Sequence, residues 1–177
     1  ATPGGIEGWR IAWTTDCGNG VVDPAVAAGL RTALGQLEAA GASIEEVDLG
    51  WGEEVTEAAR AYLDHLFGRG FARVWEEHPE LVCDYTAWYA ERAGTCGQER
   101  FLWTYEVAAD MYRTLGPLLA RYHALVCPAF VTQEIRADAM PWETIEVAGR
   151  TWQVWEPATV LKAVQEREAL HSTAFDN

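Results

Sequence analysis

An α/β fold, with strands joined by helical crossovers, is predicted for this chain by three observations. A short apolar run at residues 9–13 is followed by a helical period and then by a second strand-like run at 44–49, which makes a βαβ start. A third compact apolar run, 124–127, comes only after a long helical excursion. Hydrophobic residues make up 49% of the 177, enough to bury a sizeable core.

Each element has its own local reason. Trp9, Ile11, Ala12 and Trp13 favour a buried strand, and residues 14–20 are turn chemistry. Asp23 and Pro24 read as N-cap and first helical residue, because the aspartate accepts an orphan backbone N–H and proline has none to satisfy. Val26, Leu30, Ala33, Leu34 and Leu37 follow at helical spacing, and Gly41 stands where a left-handed terminating residue is wanted. Residues 44–49 give the second strand, reached by a crossover of the right-handed kind.

Between 53 and 67, Val55, Ala58, Ala59, Tyr62, Leu63, Leu66 and Phe67 form a continuous helical stripe. It continues weakly through Phe71, Val74 and Trp75, with Gly68 and Gly70 expected to loosen it and His78-Pro79 to stop it. A shorter helix spans 84–92 and ends at Gly94. A longer one starts near Gln98, with Phe101, Tyr105, Ala108, Tyr112 and Leu115 on one face, and Gly116-Pro117 should kink or split it. Pro128 stops the third strand, residues 145–152 alternate around a glycine turn as a hairpin, and 157–171 read as a last helix. No repeat or linker divides the chain, so residues 1–177 read as a single α/β body.

Charge narrows the function classes. A formal net charge of −14 without any Lys/Arg run argues against nucleic acid and anionic membrane surfaces as partners. No apolar run approaches the roughly 20 residues of a spanning helix, and residues 1–8 lack the pattern of a signal peptide, so a cytoplasmic location is expected. Cys17, Cys83, Cys96 and Cys127 are far apart and read as thiols.

The sequence offers few groups suited to catalysis. Ser43 and Ser172 are the only serines, and neither sits in a glycine-flanked elbow. Lys162, the only lysine, would lie about 15 Å from Ser172 along a helix, too far for a dyad. Cys17 occupies a glycine-rich loop at the end of a strand, where open sheets place ligands, but a loop thiol without a recognisable base is the plainer reading. His65, His78, His123 and His171 never share metal-ligand spacing, so neither a metal nor a cofactor is expected. The acidic pairs Glu53-Glu54, Glu76-Glu77 and Glu166 with Glu168 read as solvated helix faces. Trp142, Trp152 and Trp155 cluster late in the chain, where packing competes with an apolar substrate wall.

Several segments together resemble a known family. Gly8-Trp9-Arg10-Ile11-Ala12, Val22-Asp23-Pro24-Ala25-Val26, Leu37-Glu38-Ala39-Ala40-Gly41-Ala42 and Glu46-Val47-Asp48-Leu49 resemble, in order and spacing, the stretch that follows the nucleophile region of amidase-signature enzymes. Tyr122-His123-Ala124-Leu125-Val126-Cys127-Pro128-Ala129 resembles that family's tyrosine, apolar strand and Cys-Pro-Thr element, with Ala129 in place of the threonine. Ala148-Gly149-Arg150-Thr151 resembles its hairpin turn, and Thr173-Ala174-Phe175-Asp176-Asn177 loosely its Phe-Asn element, with Asp176 interrupting the spacing. The resemblance implies a mixed β-sheet with flanking helices and amide hydrolysis through an acyl-enzyme by a serine, cis-serine, lysine triad. Those three residues precede the segment resembling 9–13, so no catalytic residue carries over.

Two functions follow as expectations. In the first, the chain is the later portion of an amidase acting on a small-molecule amide, with Phe130, Trp142 and Phe175 as substrate-wall residues. The alternative is a catalytically inactive binding or regulatory module derived from an amidase. Strands apolar on both faces, left without neighbours after Asn177, also suggest self-association.

Overall fold

The computed structural model describes residues 5–18 and 21–154. The expected helix at 157–171, with Lys162, His171, Ser172 and the wall residue Phe175, lies outside the described residues, as does Trp155.

Three strands, β1 (Arg10–Trp13), β2 (Ser43–Glu46) and β3 (Ala124–Val126), form a parallel sheet in the order β2-β1-β3. Ile11 stands opposite Ile44 on one side and Ala124 on the other, so β1 is central. Parallel neighbours require crossovers. The first is α1 (Pro24–Ala39), which starts as expected: Asp23 Oδ1 accepts from the N–H of Ala25 at 2.7 Å, with Pro24 in the first turn. It ends at Gly41, whose φ of +95° takes the left-handed conformation that terminates helices. β2 is shorter than the sequence suggests, because after Glu46 the chain turns inward and buries Leu49 and Trp51 in the core.

The second crossover is the helical excursion, comprising α2 (Glu53–Glu77), α3 (Asp84–Glu91) and α4 (Gln98–Leu119). Ala12 is fully buried in one cluster with Val55 and Ala58 of α2 and Val107, Met111 and Leu118 of α4, so that face of β1 packs on the excursion. Alternation along the strand turns Ile11, also buried, to the opposite face, while α1, with Leu30 and Leu34 buried, packs beside β2. The ends of the sheet are tied as well. The Tyr122 hydroxyl donates to Glu45, which with the nearby Arg10 guanidinium holds the Glu45 carboxyl below its usual range.

Two expectations within the excursion change. α2 runs unbroken through Gly68 and Gly70 to Glu77. Gly68 is buried and a Cβ there would stand 2.8 Å from the Ala93 Cα, so this glycine admits a neighbouring backbone rather than loosening the helix. α4 likewise continues through Pro117 to Leu119. The N–H that proline lacks would have bonded to the carbonyl of Arg113, an exposed residue near the helix end.

One buried polar contact joins the excursion internally. Asp64 of α2, 7% exposed, accepts from Arg92 Nε at 2.8 Å and from its NH2 group at 2.9 Å, with the Thr95 hydroxyl at 3.4 Å. Arg92 also lies over the Trp88 ring at 4.8 Å. The hairpin forms as expected from β4 (Thr144–Val147) and β5 (Arg150–Gln153), with Ala148 and Gly149 both at positive φ, as a two-residue turn of this kind requires. Val147, fully buried, packs it against the core that holds Ala12.

Candidate functional site

Open parallel sheets place ligands at the carboxyl ends of their strands, where the order of connection reverses. Here the reversal lies at β1, since the chain passes to β2 on one side and later to β3 on the other. The loop after β1 is closed to a ligand: Cys17 is 1% exposed, and Gly18 presses so near the loop after β2 that a Cβ would meet the Trp51 carbonyl oxygen at 2.0 Å. Cys17, Trp51, Val131 and Val147 join one apolar cluster there.

Among the described residues, an open groove lies beside the segment after β3. Pro128, Ala129, Phe130, Thr132, Gln133 and Ile135 face Val26, Gly29, Leu30 and Ala33 of α1 across a groove of about 660 Å³, within the range of small-molecule sites. Local structure fixes both walls. The Asp23 N–H donates to the Val131 carbonyl at 2.8 Å, joining the start of α1 to the strip beyond β3. The hydroxyl of Thr132, a residue 3% exposed, accepts from the Glu134 N–H at 3.1 Å, and Gln133 is exposed beside it.

Of the wall residues read from sequence, Phe130 and Trp142 fall among the described residues. Phe130, 52% exposed, lines the groove. Trp142 is exposed in the turn leading into β4 and is not part of the lining. The facing wall on α1 was missed, because Val26 and Ala33 fit the same helical stripe as the buried Leu34. The available signal was the small pair Gly29 and Ala33, one turn apart on a face too shallow to fill a core.

Elsewhere the described residues contain no group of three or more His, Cys, Asp or Glu able to hold a metal ion, and no helix long and apolar enough to cross a membrane. Ser43 is exposed on β2. Of the thiols, Cys83 stands out chemically. It is exposed at the start of α3 with its sulfur 3.4 Å from the Thr86 hydroxyl, and hydrogen bonds from that hydroxyl and from Thr86 N–H lower its pKa. Burial pushes the Cys96 thiol up instead. With limiting iodoacetamide near neutral pH, Cys83 is therefore expected to alkylate first. Peptide mass spectrometry showing Cys96 modified as fast would contradict this.

No family model matches the sequence. Among curated proteins, an acylamidase of Rhodococcus erythropolis is 29% identical over 149 residues, which is 80% of this chain and 30% of that protein. Among solved structures, a bacterial aryl acylamidase belonging to the amidase-signature enzymes superposes with a TM-score of 0.70 at 15% identity, over 90% of this chain and 35% of that one. The chain carries part of the amidase-signature fold. A second solved amidase agrees at a TM-score of 0.69 and 15% identity, covering 91% of this chain and 37% of its own. The 6-aminohexanoate cyclic dimer hydrolase, complexed with substrate, gives 0.60 at 16% identity over 89% and 36%. The chain thus spans about a third of the length of each of these proteins. Its α/β architecture with flanking helices agrees with the fold that the resemblance implied, while the three sheet strands described all pair in parallel rather than as a mixed sheet.

Proposed function

We propose that this chain is the post-nucleophile portion of an amidase-signature hydrolase, and that the groove between α1 and the segment after β3 forms one wall of its amide-binding cleft. The observation that carries the reading is the place of this groove, at the carboxyl end of a strand beside the reversal in strand order, with Phe130 half-exposed along it. In the complete protein, a serine, cis-serine, lysine triad outside this chain would attack the amide carbonyl and form the acyl-enzyme. The chain's own part is positioning: it holds the substrate's apolar group while the triad acts on the carbonyl. Trp142, at the hairpin entry outside this groove, and Phe175, beyond the described residues, would meet the substrate from other sides of the same cleft.

Two measurements test this. The intact mass of the native protein from its source is expected to exceed 19.6 kDa and to include the missing triad. The purified 177-residue chain is expected to hydrolyse aliphatic and aryl amides no faster than background and to take no stoichiometric label from a serine-directed reagent. A native protein no longer than this chain would favour the inactive binding module. Labelling at Ser43 or Ser172 would reveal a nucleophile that the position of these serines does not suggest.

A further inference from the structure

Charge and shape in the groove narrow what it can hold. Eight of its ten lining residues, Val26, Gly29, Leu30, Ala33, Pro128, Ala129, Phe130 and Ile135, offer no side-chain polar group. The other two, Thr132 and Gln133, are neutral. In a chain with a net charge of −14, a lining without a charged side chain gives a carboxylate or ammonium no partner, and moving either out of water unpaired is strongly unfavourable. A hydrocarbon group incurs no such cost and removes apolar surface on both sides from water. Gln133 retains an amide at the groove's lip, able to donate to a carbonyl or accept from an N–H.

Depth is set by α1. Val26 and Ala33 are separated by two turns, roughly 10 Å along the helix axis, the span of a substituted ring or a medium alkyl chain. Between them lies Gly29, where a Cβ would meet no atom within 4 Å. A side chain at this position would therefore enter the groove rather than displace a neighbour.

We propose that the groove binds the uncharged hydrocarbon part of a neutral amide, an aryl ring or an unbranched alkyl chain, and that Gly29 is the residue that sets how large a group is admitted. This rests on the reading of the groove as a cleft wall, and goes beyond it by giving this wall a preference for uncharged groups and naming the position that limits size.

The same helix supplies a control. Gly35 also faces open space, lies outside the groove lining and is about 120° around α1 from Gly29. Leucine favours a helix over glycine at both positions, so Gly29→Leu and Gly35→Leu should both fold, which circular dichroism would verify. Binding of octananilide and of octanoate to the 177-residue chain would be measured by equilibrium dialysis. The expected result is that octanoate binds at least about tenfold more weakly than octananilide, that Gly29→Leu weakens octananilide about tenfold, and that Gly35→Leu stays within about twofold of the parent. Equal binding of the two probes, equal effects of the two variants, or no binding of octananilide at all would overturn the proposal. Kinetics of the longer native protein separate its failure from that of the cleft reading. If Gly29→Leu raises KM for octananilide but not for acetanilide, both stand. If it abolishes binding to the chain yet leaves hydrolysis of every amide unchanged, the groove's preference stands and its assignment to the cleft falls.

Discussion

Replacing Asp64 by alanine is expected to lower the stability of the chain by about 3 kcal/mol, because it removes the buried carboxylate that the half-buried Arg92 guanidinium grips with two hydrogen bonds. Asp64 is 7% exposed and Arg92 27%, and two hydrogen bonds of 2.8 and 2.9 Å join them in a fork. Most of the loss reflects a guanidinium deprived of this carboxylate rather than the worth of the pair, so removing both charges should cost less than removing one. Asp64→Leu combined with Arg92→Met is expected to recover more than half of the lost stability. Urea denaturation of the parent, the alanine variant and the double variant tests this. A loss below about 1 kcal/mol for Asp64→Ala, the scale of a surface ion pair, would show that water reaches the arginine and that the pair does not hold α2 to the turn at Arg92–Gly94.

The second large effect is expected at Gly18. Alanine there meets two obstacles: φ is +91°, and the new Cβ would lie 2.0 Å from the Trp51 carbonyl oxygen and 2.8 Å from its carbon. The neighbour is backbone, so no rotamer change relieves the overlap, and the loops after β1 and β2 must separate. That separation loosens Cys17 and Trp51, both buried in the core. Conformational strain alone amounts to about 1–2 kcal/mol, and forced overlap in a packed region adds about 1–3 kcal/mol. Gly50→Ala isolates the first contribution, since Gly50 has a φ of +63° with nothing within 4 Å. A Gly18→Ala protein as stable as Gly50→Ala would mean that the two loops part without loss.

What could be read in the sequence was what depends on near neighbours. Asp23 with Pro24, Gly41 and the Ala148-Gly149 turn act within a few residues of themselves, and each stands where its local chemistry puts it. Gly68 was misread because a glycine that weakens an isolated helix and one that admits another backbone look alike until Ala93 is known to be beside it. Pro117 does not split α4, because the missing hydrogen bond falls near an exposed helix end. β2 stopped short because β-favouring residues that continue a strand also serve to turn Leu49 and Trp51 into a core. Phe130 could be singled out as an aromatic after a strand, whereas its opposition to Gly29 and Ala33 arises from the packing of α1 beside the segment beyond β3.

The central position of β1 bears on the order in which the molecule assembles. Arg10 reaches Glu45 across a separation of 35 residues and His123 across 113. Closing the first loop restricts a short stretch of chain around a single helix, and closing the second must gather the whole excursion. The excursion makes its own contacts, α2 against α3 and α4, without reference to the sheet. Two local nuclei, β1-α1-β2 and the three-helix excursion, can thus form before β3 arrives, and the distant pairing of β3 with β1 is the step that slows folding. Until that step, the segment running from Pro128 to Ile135 has no α1 to face, so the groove is among the last features of the fold to exist.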